Sequence, residues 1–142
     1  MPDRTRSLAL VEAYYAAFNR GDHAGMLALL ADDVAHDPNQ GPRETGKAAF
    51  AAFLARMDRH YREQLRDIVA TVADDGRRAG VEYTVHGEYL VTDAGLPEAR
   101  GQRYVLPGGA FFDIVEGPDG SLHIARVTNY YNLRDWVSQV AG

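Results

Sequence analysis

The apolar residues change their spacing midway along the chain, and that switch constrains the fold more than any other feature. Leu8, Val11, Tyr15 and Phe18 recur at helical intervals, as do Phe50, Phe53, Leu54, Met57 and Tyr61. Beyond Leu65 the pattern alternates. Val81, Tyr83, Val85 and Tyr89 interleave with Glu82, Thr84, His86 and Glu88, giving a strand one apolar and one polar face. Helices first and strands afterwards predict an α+β domain, with the helices packed on one face of a curved antiparallel sheet.

Local signals set the boundaries. A first helix starts near Arg4 and stops at Asn19-Arg-Gly21. Asp22 offers a cap to a short second helix, His23 to Leu30, apolar on nearly every side and so expected to be buried. Val34 to Asp37 reads as a short strand, because the residue before Pro38 favours extended geometry. Pro38 to Pro42 is a loop, and Thr45 can cap a third helix. Four longer strands follow: Leu65–Ala73, Val81–Val91, Gln102–Val115 and Leu122–Tyr131. Asp74-Asp-Gly76 marks a hairpin, and Pro107-Gly-Gly109 predicts a bulge or bend inside its strand. Leu133 to Val140, with Trp136, reads as a short terminal helix. A sheet curled around helices encloses an apolar pocket suited to a small molecule.

Composition removes several alternatives. The 142 residues, 46% hydrophobic and 25% charged, fit one globular domain over 1–142. Fifteen Lys and Arg against twenty Asp and Glu leave a net charge of −5, the wrong sign for nucleic acid or an anionic membrane. The absence of cysteine excludes disulfides, a thiolate nucleophile and Cys-ligated metal. Histidines 23, 36, 60, 86 and 123 form no close pair at metal-ligand spacing, so no metal is expected. No apolar run approaches a membrane span and the first residues do not read as a signal peptide, so a cytoplasmic protein is expected.

Four motifs carry a resemblance. Tyr14-Tyr-Ala-Ala-Phe-Asn-Arg-Gly-Asp22, Leu29-Leu-Ala-Asp-Asp-Val34, His36-Asp-Pro38 and Gly46-Lys-Ala-Ala-Phe50 resemble the opening of the nuclear transport factor 2-like (NTF2-like) superfamily. Within it the chain is similar to the ketosteroid isomerases and the SnoaL-like polyketide cyclases. The resemblance implies an α+β cone with three N-terminal helices on a curved antiparallel sheet around a pocket. It also implies a homodimer through the outer sheet face, where Glu82, Thr84, His86 and Glu88 would lie.

The same resemblance proposes site residues. Asp37, before Pro38, matches the isomerase aspartate that takes a proton from carbon beside a carbonyl. Tyr14 matches the tyrosine that donates a hydrogen bond to the carbonyl oxygen, although Tyr15 has the better place on the helical stripe. The second oxyanion donor, a protonated aspartate kept neutral by an apolar site, falls on Gly109 or Ala110 and is missing. Asn129 can substitute as a donor, on one face with His123, Ala125, Val127 and Tyr131. Tyr15, Phe53, Met57, Tyr83, Val85, Tyr89, Phe112, Val127 and Tyr131 are expected to line the pocket. Gly87 stands where the isomerases carry a bulky aromatic, which implies a roomier pocket. His36 adjoins Asp37, so on a strand the two point to opposite sides; it becomes a base only if the register slips by one.

Two functions of different class follow. One is a cofactor-free isomerase, cyclase or dehydratase acting on a cyclic or polyketide-like ketone, apolar or aromatic in character. The other is a non-catalytic module that binds a small molecule or a partner. Epoxide hydrolysis is set aside, since no Asp-Arg-Asp set falls on the pocket face.

Overall fold

The computed structural model describes residues 2–142. Helix α1 (Arg4–Asn19) is capped by Asp3, whose carboxylate accepts from the Arg6 amide at 2.8 Å. Its buried face is Ser7, Leu10, Val11, Tyr14, Tyr15 and Ala17. Leu8, expected on the stripe, is more than a third exposed, so the stripe is rotated and both tyrosines point inward. Helix α2 (His23–Ala28) is capped by Asp22 but ends two residues before the expected boundary, and it buries only Met26.

Leu30 instead opens strand β1 (Leu30–Asp37), which is longer than expected. Strand β2 (Glu44–Thr45) pairs antiparallel with β1 and takes up Thr45, so helix α3 (Lys47–His60) begins at Gly46 with no side-chain cap. Tyr61, expected to close the α3 stripe, turns extended and begins β3 (Tyr61–Val72) with no intervening loop. Strands β4 (Arg78–Tyr89), β5 (Arg103–Glu116) and β6 (Leu122–Tyr131) complete an antiparallel meander, and α4 (Leu133–Val140) follows.

The six strands form one sheet in the order β2-β1-β6-β5-β4-β3. All neighbours are antiparallel except β1 and β6, which run parallel. Helix α1 touches β3 at one edge as well as β4 and β6, so the sheet wraps around it. Of the bulge or bend expected at Pro107–Gly109, the bulge is absent: β5 keeps unbroken register with β4 from Arg103 to Asp113. The extra residues lie in β1 between Leu30 and Ala35, in β3 between Arg66 and Val69, where Asp67 has φ 53°, and in β6 between Ile124 and Arg126. The β6 bulge also breaks the expected single face: Ile124 and Val127 are both fully buried.

No helix among the described residues is long and apolar enough to cross a membrane. Helix α1 is tied to the β3–β4 hairpin, where the buried Ser7 hydroxyl donates to the Gly76 carbonyl at 2.6 Å. Gly76 has φ +71°, and a Cβ there would lie 2.6 Å from the Asp3 carbonyl carbon. Gly76→Ala is therefore expected to lose at least about 1 kcal/mol of stability, read as a lower urea midpoint with an unchanged slope.

Candidate functional site

The concave face of the sheet, α1, α3 and the loop after β4 enclose a cavity of about 520 Å³. Tyr14, Tyr15, Phe53, Met57, Tyr83, Val85, Asn129 and Tyr131 line it as expected. Tyr89, Phe112 and Val127 do not. They are fully buried behind the wall, where Phe112 meets both α1 tyrosines edge-on and Tyr89 stacks on Tyr61 at 5.4 Å. The Tyr89 hydroxyl donates to the Pro97 carbonyl and accepts from the Asp93 amide, which ties down the loop after β4.

The choice between Tyr14 and Tyr15 dissolves. Both are buried and both line the cavity, 5.2 Å apart in an edge contact. Burial pushes both phenols up, with a smaller contribution from Tyr83, which is itself pushed up to about 12. None of the three hydroxyls hydrogen-bonds to another described residue, so they face the cavity as neutral donors.

Asp37 is elsewhere, which corrects the expectation of a desolvated base at the cavity wall. Its carboxylate forms a two-pronged ion pair with Arg43, at 2.8 and 3.0 Å, and accepts from Thr128 Oγ1 at 2.6 Å. Arg126 donates to that same Thr128 oxygen and clasps Asp113, which Arg78 also reaches at 3.1 Å. A row of alternating charge thus crosses β1, β6, β5 and β4 outside the cavity. The Arg43 hydrogen bond, opposed by partial burial and aided by Thr128, holds the Asp37 carboxyl down at about 2. Such a group is too weak a base for carbon-bound protons near neutrality.

One residue back, His36 faces inward and is 1% exposed. Its ring lies 4.6 Å from Phe50 and 4.4 Å from Phe53. Nε2 is 3.3 Å from the Asn129 amide nitrogen, on the side of a cavity-lining residue. Nδ1 has no hydrogen-bond partner and lies 3.6 Å from Glu44 Oε1, because β1–β2 pairing sets His36 opposite Glu44. With the amide nitrogen placed toward Nε2, the ring proton belongs on Nδ1. Burial lowers the His36 pKa more than Glu44 and Asp37 raise it, so the ring is neutral at pH 7.

Glu63 was not visible in the sequence, where it follows an apparently helical stripe through Tyr61. It lines the cavity, and its carboxylate accepts from the Tyr104 hydroxyl at 2.5 Å. Desolvation pushes its pKa up against that hydrogen bond. Gly87 does not enlarge the cavity as expected, because the Tyr104 ring occupies the space that a side chain there would take. No group of three His, Asp or Glu among the described residues is placed to hold a metal ion.

The SnoaL-like domain family matches residues 11–122 of the chain. Among solved structures, a provisionally assigned polyketide cyclase of Xanthomonas campestris pv. campestris is 65% identical, over 96% of this chain and 97% of that one, with a TM-score of 0.89. A protein of the same provisional assignment from Pseudomonas putida KT2440 is 63% identical, over 93% and 96% of the two chains, with a TM-score of 0.87. A third, from Silicibacter sp. TM1040, is 49% identical over 100% and 99%, with a TM-score of 0.90. No curated protein matches.

The Asp37 carboxyl titrates near 2 when folded, against an ordinary 3.8, so its stabilisation is complete above about pH 4 and lost as the pH falls through about 2. Because the Arg43 side chain is 55% exposed, solvent screening reduces the effect. Asp37→Asn is expected to cost about 1–2 kcal/mol at pH 7. Urea unfolding at pH 7 and pH 2.5 checks this, with the deficit shrinking at the lower pH.

Proposed function

This chain belongs to the SnoaL-like domain family, and we propose that it is a cytoplasmic acid/base enzyme of the isomerase, cyclase or dehydratase kind. It acts without a cofactor on a cyclic or polyketide-like ketone. The observation that carries this reading is His36, a buried neutral imidazole at the cavity wall whose Nε2 lone pair is turned toward the cavity-lining Asn129 amide.

In this reading Nε2 takes a proton from carbon beside the substrate carbonyl. The C–H electron pair becomes a carbon–carbon double bond, and the carbonyl oxygen takes the charge. Bound substrate takes the Asn129 amide away from Nε2, which frees that lone pair. Tyr14 and Asn129 donate to the substrate oxygen, where the desolvated setting strengthens each bond. Glu44, opposite Nδ1, stabilises the imidazolium as it forms. The enolate is then reprotonated at a new carbon, adds to a second carbonyl or expels a hydroxyl, which are the three reaction types named. The provisional assignment of the 65% and 63% identical proteins favours the cyclase. The capture of Asp37 by Arg43 favours the second reading, a binding module, because it removes the expected base.

A homodimer through the outer sheet face belongs to the same proposal. Phe111 and Tyr130 meet there edge-on at 5.8 Å, and each is about half exposed. Sedimentation at micromolar concentration is expected to give twice the monomer mass.

The test of the chemistry is exchange of the protons beside the carbonyl of 1-tetralone in deuterium oxide. His36→Gln is expected to slow it by on the order of 10²–10⁴. The wild-type rate should fall only as the pH drops through the lowered His36 pKa, where the base becomes protonated. An undiminished rate in His36→Gln contradicts the proposal and leaves the binding module.

A further inference from the structure

We infer that Glu63 is a second catalytic group of this cavity, a proton donor set in place by Tyr104 across the gap left by Gly87. The three residues form one row of the sheet, Glu63 on β3 opposite Gly87 on β4 and Gly87 opposite Tyr104 on β5. Residues directly opposite share a face. Without a side chain at Gly87, the Tyr104 ring lies across β4, where any Cβ would overlap it. Trp136 meets that ring edge-on at 5.8 Å, and the hydroxyl bonds the Glu63 carboxylate. Glu63 therefore has a fixed direction at the cavity wall.

Its surroundings suit an acid rather than a structural ion. No Lys, Arg or His among the described residues forms an ion pair with Glu63. The ionisable groups coupled to it are phenols, Tyr83 from β4, Tyr104 from β5 and Tyr131 from the end of β6, while the cavity-lining cation Arg56 acts on Tyr131 and His36 rather than on Glu63. A desolvated carboxyl without a cation favours its protonated form, in agreement with the upward shift of its pKa. A half-buried carboxyl that faces a cavity without a cation is a poor structural choice, and such groups concentrate at sites of chemistry.

The role rests on the acid/base reading above. Once His36 has taken the C–H proton, two steps call for a donor. In a cyclisation the enolate carbon bonds to a second carbonyl carbon, the π pair moves to oxygen, and Glu63 gives that oxygen its proton. In a dehydration the C–O bond breaks with its electron pair on oxygen, and the Glu63 proton completes the departing water. Either step leaves an imidazolium and a carboxylate, and one proton returned through solvent from His36 to Glu63 restores both. Tyr104 is a positioning residue that does not touch the substrate.

The probe is 3-hydroxy-1-tetralone, which gives fluorescent 1-naphthol on losing water. Glu63→Gln is expected to slow that loss by on the order of 10²-fold and to slow exchange in 1-tetralone by a much smaller factor. Tyr104→Phe removes a hydrogen bond to the carboxylate, so the alkaline limb of the water-loss profile should move to higher pH. In protein carrying carbon-13 glutamate carboxyls, one signal should titrate above the rest, disappear in Glu63→Gln and move further up in Tyr104→Phe. Equal slowing of both reactions, or no selective slowing of water loss, overturns the assignment. So does a Glu63 carboxyl that titrates with the surface glutamates, whether or not the probe turns over. If His36→Gln slows exchange while Glu63→Gln spares water loss, only the Glu63 assignment falls. If His36→Gln leaves exchange intact, the acid/base reading falls with it.

Discussion

The parallel pairing of β1 with β6 decides which side chain enters the cavity. It sets His36 beside Val127 and Asp37 beside Thr128, and strand alternation does the rest: one side chain goes inward and its neighbour outward. A slip of one residue would exchange them. The outer row of charge opposes that slip, because Asp37 would have to leave both Arg43 and Thr128 to enter an apolar space. The ion pair outside thus fixes the imidazole inside, and Asp37 acts on the site through register.

The cavity is stable only at a cost met elsewhere in the domain. His36 Nδ1 has no hydrogen-bond partner, and a buried polar atom left so costs about 1–3 kcal/mol. Glu63 is paired with a phenol rather than a cation. Against these stand the aromatic contacts of Tyr14, Tyr15 and Phe112, and of Tyr61, Tyr89 and Trp136 around the cavity. Aromatic pairs contribute about 0.5–1.5 kcal/mol each beyond the area they bury. A rigid aromatic shell holding a few unpaired polar groups is a preorganised site, because those groups need no rearrangement to meet a developing charge.

Much of the fold was legible because it is written in periodicity. The change from helical spacing to alternation gave the order of elements, and the turn at Asp74-Asp-Gly76 joins β3 to β4 as expected. Tyr14 and Asn129, which also line the cavity, came from the family resemblance, since helical spacing alone favoured Tyr15. The losses occur where the chain departs from regularity. The α3-to-β3 junction has no loop, so Tyr61 read as a fifth helical contact and Glu63 dropped from view. Bulges in β3 and β6 carry no glycine or proline signal, whereas Pro107-Gly-Gly109 carries one and stays in register. Gly87 read as open space, since nothing local shows that a tyrosine on the next strand lies over it. The His36–Asp37 choice turns on long-range pairing, which a single sequence specifies only weakly.

The central claim is that the His36 imidazole is the neutral base of the cavity. Nitrogen-15 NMR of histidine-labelled protein tests it most directly, with the signals assigned through His36→Gln. The account predicts an imidazole protonated on Nδ1, titrating below the ordinary 6.5, whose Nε2 signal shifts when 1-naphthol occupies the cavity. A His36 ring that titrates at or above 6.5, with Nε2 unmoved by 1-naphthol, would contradict it.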